Sequence, residues 1–307
     1  MTQTQLRGAG GATWWRRLLA ARERLGQVYG INRRNVDLVY AHNPRCYYPL
    51  ADDKIRCKEL LRSKDVPVAP DVAICRGLFE VEAVTRALRS RDNFVVKPAS
   101  GSGGDGIVVV GAKDGDRWLT PKGRHVDLDE LRQHLANITF GSFSKQLEDR
   151  ALVEERIEPA ALYDAFWADG VCDVRIIVLR GRPLLSMVRV PTRRSGGRAN
   201  LHQGGIGVAV NIKTGRTYRA ISKGQLVDVH PENGECLVGR QLPEWQRCLE
   251  VAFAAAAAVP LGYLGVDICV DRRWGPVVLE INVRPGLEIQ NVCDRTFSAA
   301  IKGGARA

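Results

Sequence analysis

The tightest constraint on this chain is the run GVDICVDRRWGPVVLEINVRPGL, Gly265–Leu287. Two apolar stretches flank a turn at Asp271–Pro276, so the segment reads as a β-hairpin. The first stretch carries Asp267, and the second ends in Glu280, Ile281 and Asn282. Pairing brings Asp267 beside Glu280, and the two-residue period of a strand puts Glu280 and Asn282 on one face. Three oxygen-bearing side chains then gather at the end of an otherwise apolar hairpin. Carboxylates in such a setting need a compensating charge. Hard oxygen ligands suit Mg²⁺, which commonly shares its coordination with substrate phosphates. The pattern implies a metal–phosphate site, and with it an enzyme that uses ATP.

Composition narrows the setting. A chain of 307 residues, 45% of them hydrophobic, can bury a substantial core. No apolar run approaches the ~20 residues of a membrane span. Residues 1–12 are polar and Gly-rich and read as disordered. Trp14–Leu25 mixes apolar and basic residues, which fits an amphipathic helix packed on its own domain rather than a signal peptide. Eight scattered cysteines form no C-x-x-C pair, which argues against a zinc site or a disulfide framework and for a reduced, cytoplasmic location. A net charge of +11 suits anionic partners such as nucleotide phosphates or an acidic peptide. The chain lacks an aromatic-studded RNA-binding pattern, so nucleic acid is not the expected partner.

Helices and antiparallel hairpins alternate in an order that implies α+β lobes rather than repeated βαβ units. A short strand is expected at Val36–Tyr40. Helices are expected at Asp53–Lys64, capped by Asp52 or Asp53, and at Leu78–Arg89, Leu128–Phe140 and Leu242–Val259. Strands are expected at Asn93–Lys97, Val108–Val110, Ala151–Ile157 and Ile206–Ile212, and Asp173–Leu179 with Pro183–Val190 reads as a hairpin turning at Arg180–Arg182.

Three further pieces suit a nucleotide. In FVVKPASGSGGDGIVVV, a strand delivers Lys97 and the loop Ser100–Gly106 holds four glycines in seven residues. Glycines let backbone N–H groups approach phosphate oxygens, and the lysine adds a point charge. The loop returns into a strand, which separates it from P-loop and dinucleotide fingerprints. In ALVEERIEP, a strand end presents Glu154, Arg156 and Ile157 to the edge of a base. In RVPTRRSGGRANLHQGG, one loop gathers Arg193, Arg194, Arg198, Asn200 and His202, and such arginines bind phosphoryl groups and carboxylates.

Taken in order from about Asp52 to Asn291, these segments resemble the ATP-grasp superfamily. The strings DVR at Asp173–Arg175, GRANLHQGG at Gly197–Gly205, GVD at Gly265–Asp267 and LEINVRPGLE at Leu279–Glu288 resemble the alpha-L-glutamate ligase-like branch most. The resemblance implies an ATP-grasp fold, with ATP clamped between two α+β lobes: residues 51–157, and residues 158–307 bearing the metal site. It implies Lys54, Lys97, Ser100, Gly101, Gly103 and Gly104 near the phosphates. Glu154, Arg156 and Ile157 then sit at adenine, with Asp173, Arg198 and Asn200 on the nucleotide side. Asp267, Glu280 and Asn282 would hold Mg²⁺ or Mn²⁺.

The implied chemistry joins a carboxylate to an amine through an acyl phosphate, adding glutamate or another amino acid to an acceptor. Arg175, Arg189 and Arg198 are the candidates for holding the acyl phosphate. The acceptor is expected to be an amino acid, an acidic peptide or protein terminus, or a sugar-linked carboxylate. Two features depart from the family. It usually carries a Rossmann-like domain of roughly a hundred residues before the helix of Lys54. Here residues 1–50 are expected to be a truncated, partly disordered helical and loop segment, so that part of the usual substrate wall is either missing or supplied by a protein partner. Arg284 also replaces a small residue before PGLE and is placed near the metal site. A catalytically silent ATP-binding subunit, or a basic protein of RNA or membrane surfaces, is the alternative reading.

Overall fold

The computed structural model describes residues 28–303 except 102, 145, 146, 168 and 169. The expectations for residues 1–12 and Trp14–Leu25 lie outside the described residues.

Two lobes, each built on its own antiparallel sheet, make up the fold. The first contains β1 (Asp71–Cys75), β2 (Phe94–Pro98) and β3 (Val108–Val110). Three short strands follow: β4 (Ala112–Asp114), β5 (Arg117–Leu119) and β6 (His125–Val126). Then β7 (Ala151–Glu154) returns to the main sheet, whose order is β1-β7-β2-β3, while β4-β5-β6 form a separate sheet. Helices Val81–Leu88 and Leu128–Thr139 cover the main sheet, burying Leu88, Leu131 and Leu135 against Phe94 and Trp118. Asp127 starts the second helix with a capping box: its side chain accepts the Glu130 N–H while the Glu130 carboxylate accepts its own.

The second lobe contains β8 (Asp173–Leu179), β9 (Arg182–Val190), β10 (Ile206–Val210), β11 (Thr217–Ser222), β12 (Gln225–Leu226), β13 (Tyr263–Asp271) and β14 (Gly275–Asn282), ordered β12-β11-β10-β9-β8-β13-β14. The expected β8–β9 hairpin is present. Its turn places Arg180 at φ 50° and Gly181 at φ 73°, the left-handed pair that matches strand twist in a tight hairpin. The expected β13–β14 hairpin is present too, in the expected register: Asp267 lies opposite Glu280. On its other side Asp267 lies opposite Arg175 of β8. Helix Trp245–Ala258 packs behind these central strands, burying its Cys248, Ala252 and Ala255 stripe.

Residues 28–66 correct two expectations. Val36–Tyr40 is helical rather than extended: Ile31–Arg34 continues through Asn35–Tyr40, which winds in the wider π form. Leu38 and Val39, neighbours in sequence, are both buried while Val36 and Tyr40 are exposed, a pattern no single strand face allows. The packing boundary is also not at residue 51. Leu38, Val39, Tyr48, Ala51, Cys57, Leu61 and Val66 belong to the second lobe's core. This segment straps the back of the hairpin. The buried Asn43 side chain donates to the Tyr263 carbonyl at 2.6 Å and accepts the Tyr263 N–H at 2.9 Å. Arg34 Nη1 donates to the Pro285 carbonyl at 2.7 Å.

Candidate functional site

A cleft of about 710 Å³ opens between the lobes. Val95, Val108, Ile157, Val171, Met187 and Leu279 give it an apolar slot of the kind a planar base fills. Charged side chains line the rest. Lys97, Glu154 and Arg156 come from the first lobe or the crossing out of it, and Asp173, Arg175, Arg189, Asp267, Glu280 and Asn282 from the second lobe's central strands.

Lys54 reaches this cleft because Asp53 caps its helix, accepting the Ile55 and Arg56 N–H groups. Its Nζ donates to the Gly101 carbonyl at 2.5 Å and lies 4.0 Å from Glu280 Oε1. Lys97 pairs with Glu154 Oε1, and Lys58 holds the other oxygen at 2.8 Å. Burial alone would raise the Glu154 carboxyl. The two ammonium groups outweigh it and hold the carboxyl below its ordinary value. Glu154, expected at the adenine edge, is therefore committed to two lysines. Lys58 was not foreseen, although its four-residue spacing from Lys54 puts both on one helix face.

Deeper in the cleft lies a buried cluster of two carboxylates and two guanidiniums. Arg175 donates from Nε and Nη2 to Asp267 at 2.7 and 2.6 Å. Arg189 donates from Nε and Nη2 to Asp173 at 2.6 and 2.9 Å, and from Nη2 to Asp267 at 2.7 Å. Bidentate pairing lets ions sit where an isolated charge would not. Burial pushes the Asp173 carboxyl up to about 6 despite Arg189. For Asp267, Arg175 and Arg189 outweigh burial and hold the carboxyl low. Nη1 of each arginine makes no hydrogen bond among the described residues, so both keep one donor edge for a ligand.

The chemistry of the expected metal ligands fits a divalent ion unevenly. Glu280 is part-exposed, pairs among the described residues with Lys54 alone at 4.0 Å, and offers its oxygens. Asn282 donates from Nδ2 to Asp267 at 3.0 Å, which leaves its carbonyl oxygen available. Asp267 already accepts four hydrogen bonds, three from arginines and one from Asn282, so an ion meets competition there. Among the described residues no group of three or more His, Cys, Asp or Glu side chains is placed to hold a metal. One or two carboxylates completed by phosphate oxygens is the usual Mg²⁺ arrangement, and Glu280 with Asn282 fits it.

Two loops close over the cleft. Gly103 and Gly104 line it with positive φ, whereas Ser100 and Gly101 do not line it. The Ser100 N–H donates to Asp149 at 3.1 Å and the Gly101 carbonyl accepts Lys54, so both expected phosphate contacts are otherwise engaged. Gly106 is required sterically: at φ 73°, a Cβ there would lie 2.5 Å from the Phe143 ring. From the other lobe, Arg198 Nη1 pairs with Asp105 at 3.2 Å and Gln203 Nε2 donates to the Gly103 carbonyl at 3.3 Å. Asn200 lines the cleft, and its side-chain oxygen accepts the His202 N–H at 3.1 Å. Arg284, two residues beyond Asn282, is exposed, does not line the cleft and stacks over Tyr48 at 4.8 Å.

The model of the family described as sugar-transfer associated ATP-grasp matches residues 33–300. A probable alpha-L-glutamate ligase of Maridesulfovibrio salexigens is 27% identical over 250 residues, 81% of this chain and 61% of that protein. One of Legionella pneumophila (strain Corby) is 24% identical over the same shares. The chain thus spans about 61% of the length of these relatives. Among solved structures, the D-alanine–D-alanine ligase of Bacillus anthracis superposes with a TM-score of 0.45 at 16% identity, covering 82% of this chain and 66% of that one. The ATP-grasp ligase PsnB complexed with minimal precursor gives 0.46 at 16%, covering 95% and 73%.

Proposed function

Because the chain belongs to the sugar-transfer associated ATP-grasp family, we propose that it is an ATP-dependent ligase that activates a carboxylate as an acyl phosphate and joins it to an amine. The single observation that carries this reading is the cleft itself. Its lining combines apolar side chains with Lys54, Lys97, Arg175 and Arg189, and with Glu280 and Asn282.

In this reading the base lies in the slot by Ile157 and Leu279, and Lys54, Lys97 and the amides of Gly103 and Gly104 receive the phosphates. Arg156 borders the base, and Asp173 fixes Arg189. Glu280 and Asn282 would supply the oxygens for Mg²⁺, beside the arginine-bound Asp267. When bound, that ion offsets the repulsion between triphosphate and carboxylate. Nη1 of Arg175 and of Arg189 hold the equatorial oxygens of the transferring phosphoryl group, with Arg198 and Asn200 closing over them. Lys58 keeps Glu154 charged and seated when Lys97 turns to the phosphates.

The relatives' name, probable alpha-L-glutamate ligase, makes L-glutamate the first amine to test and acidic peptides the first acceptors. Among the described residues no helix is long and apolar enough to cross a membrane. The mechanism has an isotopic signature, because the attacking carboxylate oxygen stays on phosphorus. A carboxylate labelled with ¹⁸O is expected to deliver label to inorganic phosphate during turnover. Turnover without label transfer would contradict the acyl phosphate.

A further inference from the structure

Among the described residues, eight cationic and six anionic side chains line the cleft. Five of the six carboxylates, Glu154, Glu155, Asp173, Asp267 and Glu280, face a lysine or arginine within 4.0 Å. Glu288 alone has no such partner among the described residues. Its side chain accepts one hydrogen bond, from Asn291 Nδ2 at 3.3 Å. A half-buried carboxylate left unpaired in a cleft rich in cations is incompletely compensated. A cationic ligand would complete it.

Its position says which ligand. Glu288 follows β14 by six residues and lies two beyond Gly286, where a Cβ would sit 3.9 Å from Arg175 Nη1. The loop therefore runs against the donor edge assigned above to the phosphoryl group. We infer that Glu288 forms the amine subsite, holding a primary ammonium group beside the acyl phosphate. The inference rests on the ligase reading and adds the residue that recognises the second substrate.

The chemistry balances. The nitrogen lone pair forms the bond to the acyl carbon, and the carbon–oxygen bond to phosphate breaks with its electron pair leaving on phosphate. The ammonium sheds two protons in all. Glu288 accepts one and the departing phosphate the other.

The test compares two nucleophiles. The full chain is given Mg²⁺–ATP, a tripeptide ending in L-glutamate as the carboxylate, and either L-glutamate or hydroxylamine. Hydroxylamine is uncharged near neutral pH and needs no carboxylate to bind it or strip a proton. Glu288→Gln is expected to lose about 100-fold or more in kcat/KM for L-glutamate, within the range of general acid–base contributions. Hydroxamate formation should fall far less, and Glu288→Asp should recover part of the loss. Equal losses with both nucleophiles would overturn the inference, because damage to the fold or nucleotide site lowers both. A wild-type protein that makes neither product would overturn the ligase reading, and the inference with it.

Discussion

Lys97 shares one buried carboxylate with Lys58, and that sharing decides what its removal does. Stripping the only partner from a buried ion costs about 3–5 kcal/mol, but Glu154 in a Lys97→Ala variant keeps Lys58 at 2.8 Å. The variant should therefore stay folded and lose affinity for ATP much more than for adenosine. Equal losses in calorimetric titrations with the two ligands would contradict the phosphate role. The lysine and its glycine-rich loop were legible because strand, charge and glycines are contiguous. The pairing of Lys97 with Glu154 was not, since its partners stand 57 positions apart. Asp267 is similar: hairpin alternation placed it beside Glu280, while the two arginines that occupy its oxygens arrive from β8 and β9.

At the scale of elements, the β13–β14 hairpin is held from behind by a strap that sequence patterning misread. Val36–Tyr40 looked extended because Val36, Leu38 and Tyr40 alternate, whereas tertiary packing buries Leu38 and Val39 on a helical course. The β4–β5–β6 sheet also escaped notice, since strands of two or three residues carry too little periodicity. Asn43 in the strap satisfies the N–H and carbonyl of Tyr263 with one side chain. Asn43→Ala leaves both unpaired, and each orphaned buried group costs roughly 1–3 kcal/mol. A urea midpoint at the wild-type value would contradict the strap.

A second element has a pH dependence. His134 Nε2 bonds to the Gly106 carbonyl at 2.8 Å, and the ring packs on Phe143 at 5.4 Å. Burial lowers its pKa, more than the Gly106 bond raises it. The unfolded chain takes up this proton near 6.5 and the folded chain only at lower pH. This stability is therefore fully present above 6.5 and is lost as pH falls from there through the folded value. Urea midpoints at pH 7.5 and 5.5 should draw closer together in His134→Gln than in wild type. An unchanged gap would contradict the assignment.

Over the whole molecule, the lobes share the buried Lys58–Glu154 pair at the base of the cleft, while the two loops above it meet through weak contacts. Arg198 and Asp105 are 43% and 70% exposed, and such pairs contribute about 0–1 kcal/mol. The lobes were legible as α+β units and the family resemblance was sound. The boundary at residue 51 was misplaced because the helix of Lys54 buries Cys57 and Leu61 in the second lobe's core. The ligase reading requires this cleft to receive ATP with a divalent ion. Thermal unfolding with Mg²⁺ and ATP, ADP, GTP or no nucleotide tests it most directly. A ligand at ~100 times its Kd adds about 2.7 kcal/mol when it binds only the native state. Tm is expected to rise by several degrees with adenine nucleotides, dependent on the metal, and the rise with ATP is expected to be lost in Glu280→Gln. A Tm indifferent to nucleotide, or raised equally by GTP and without metal, would contradict it.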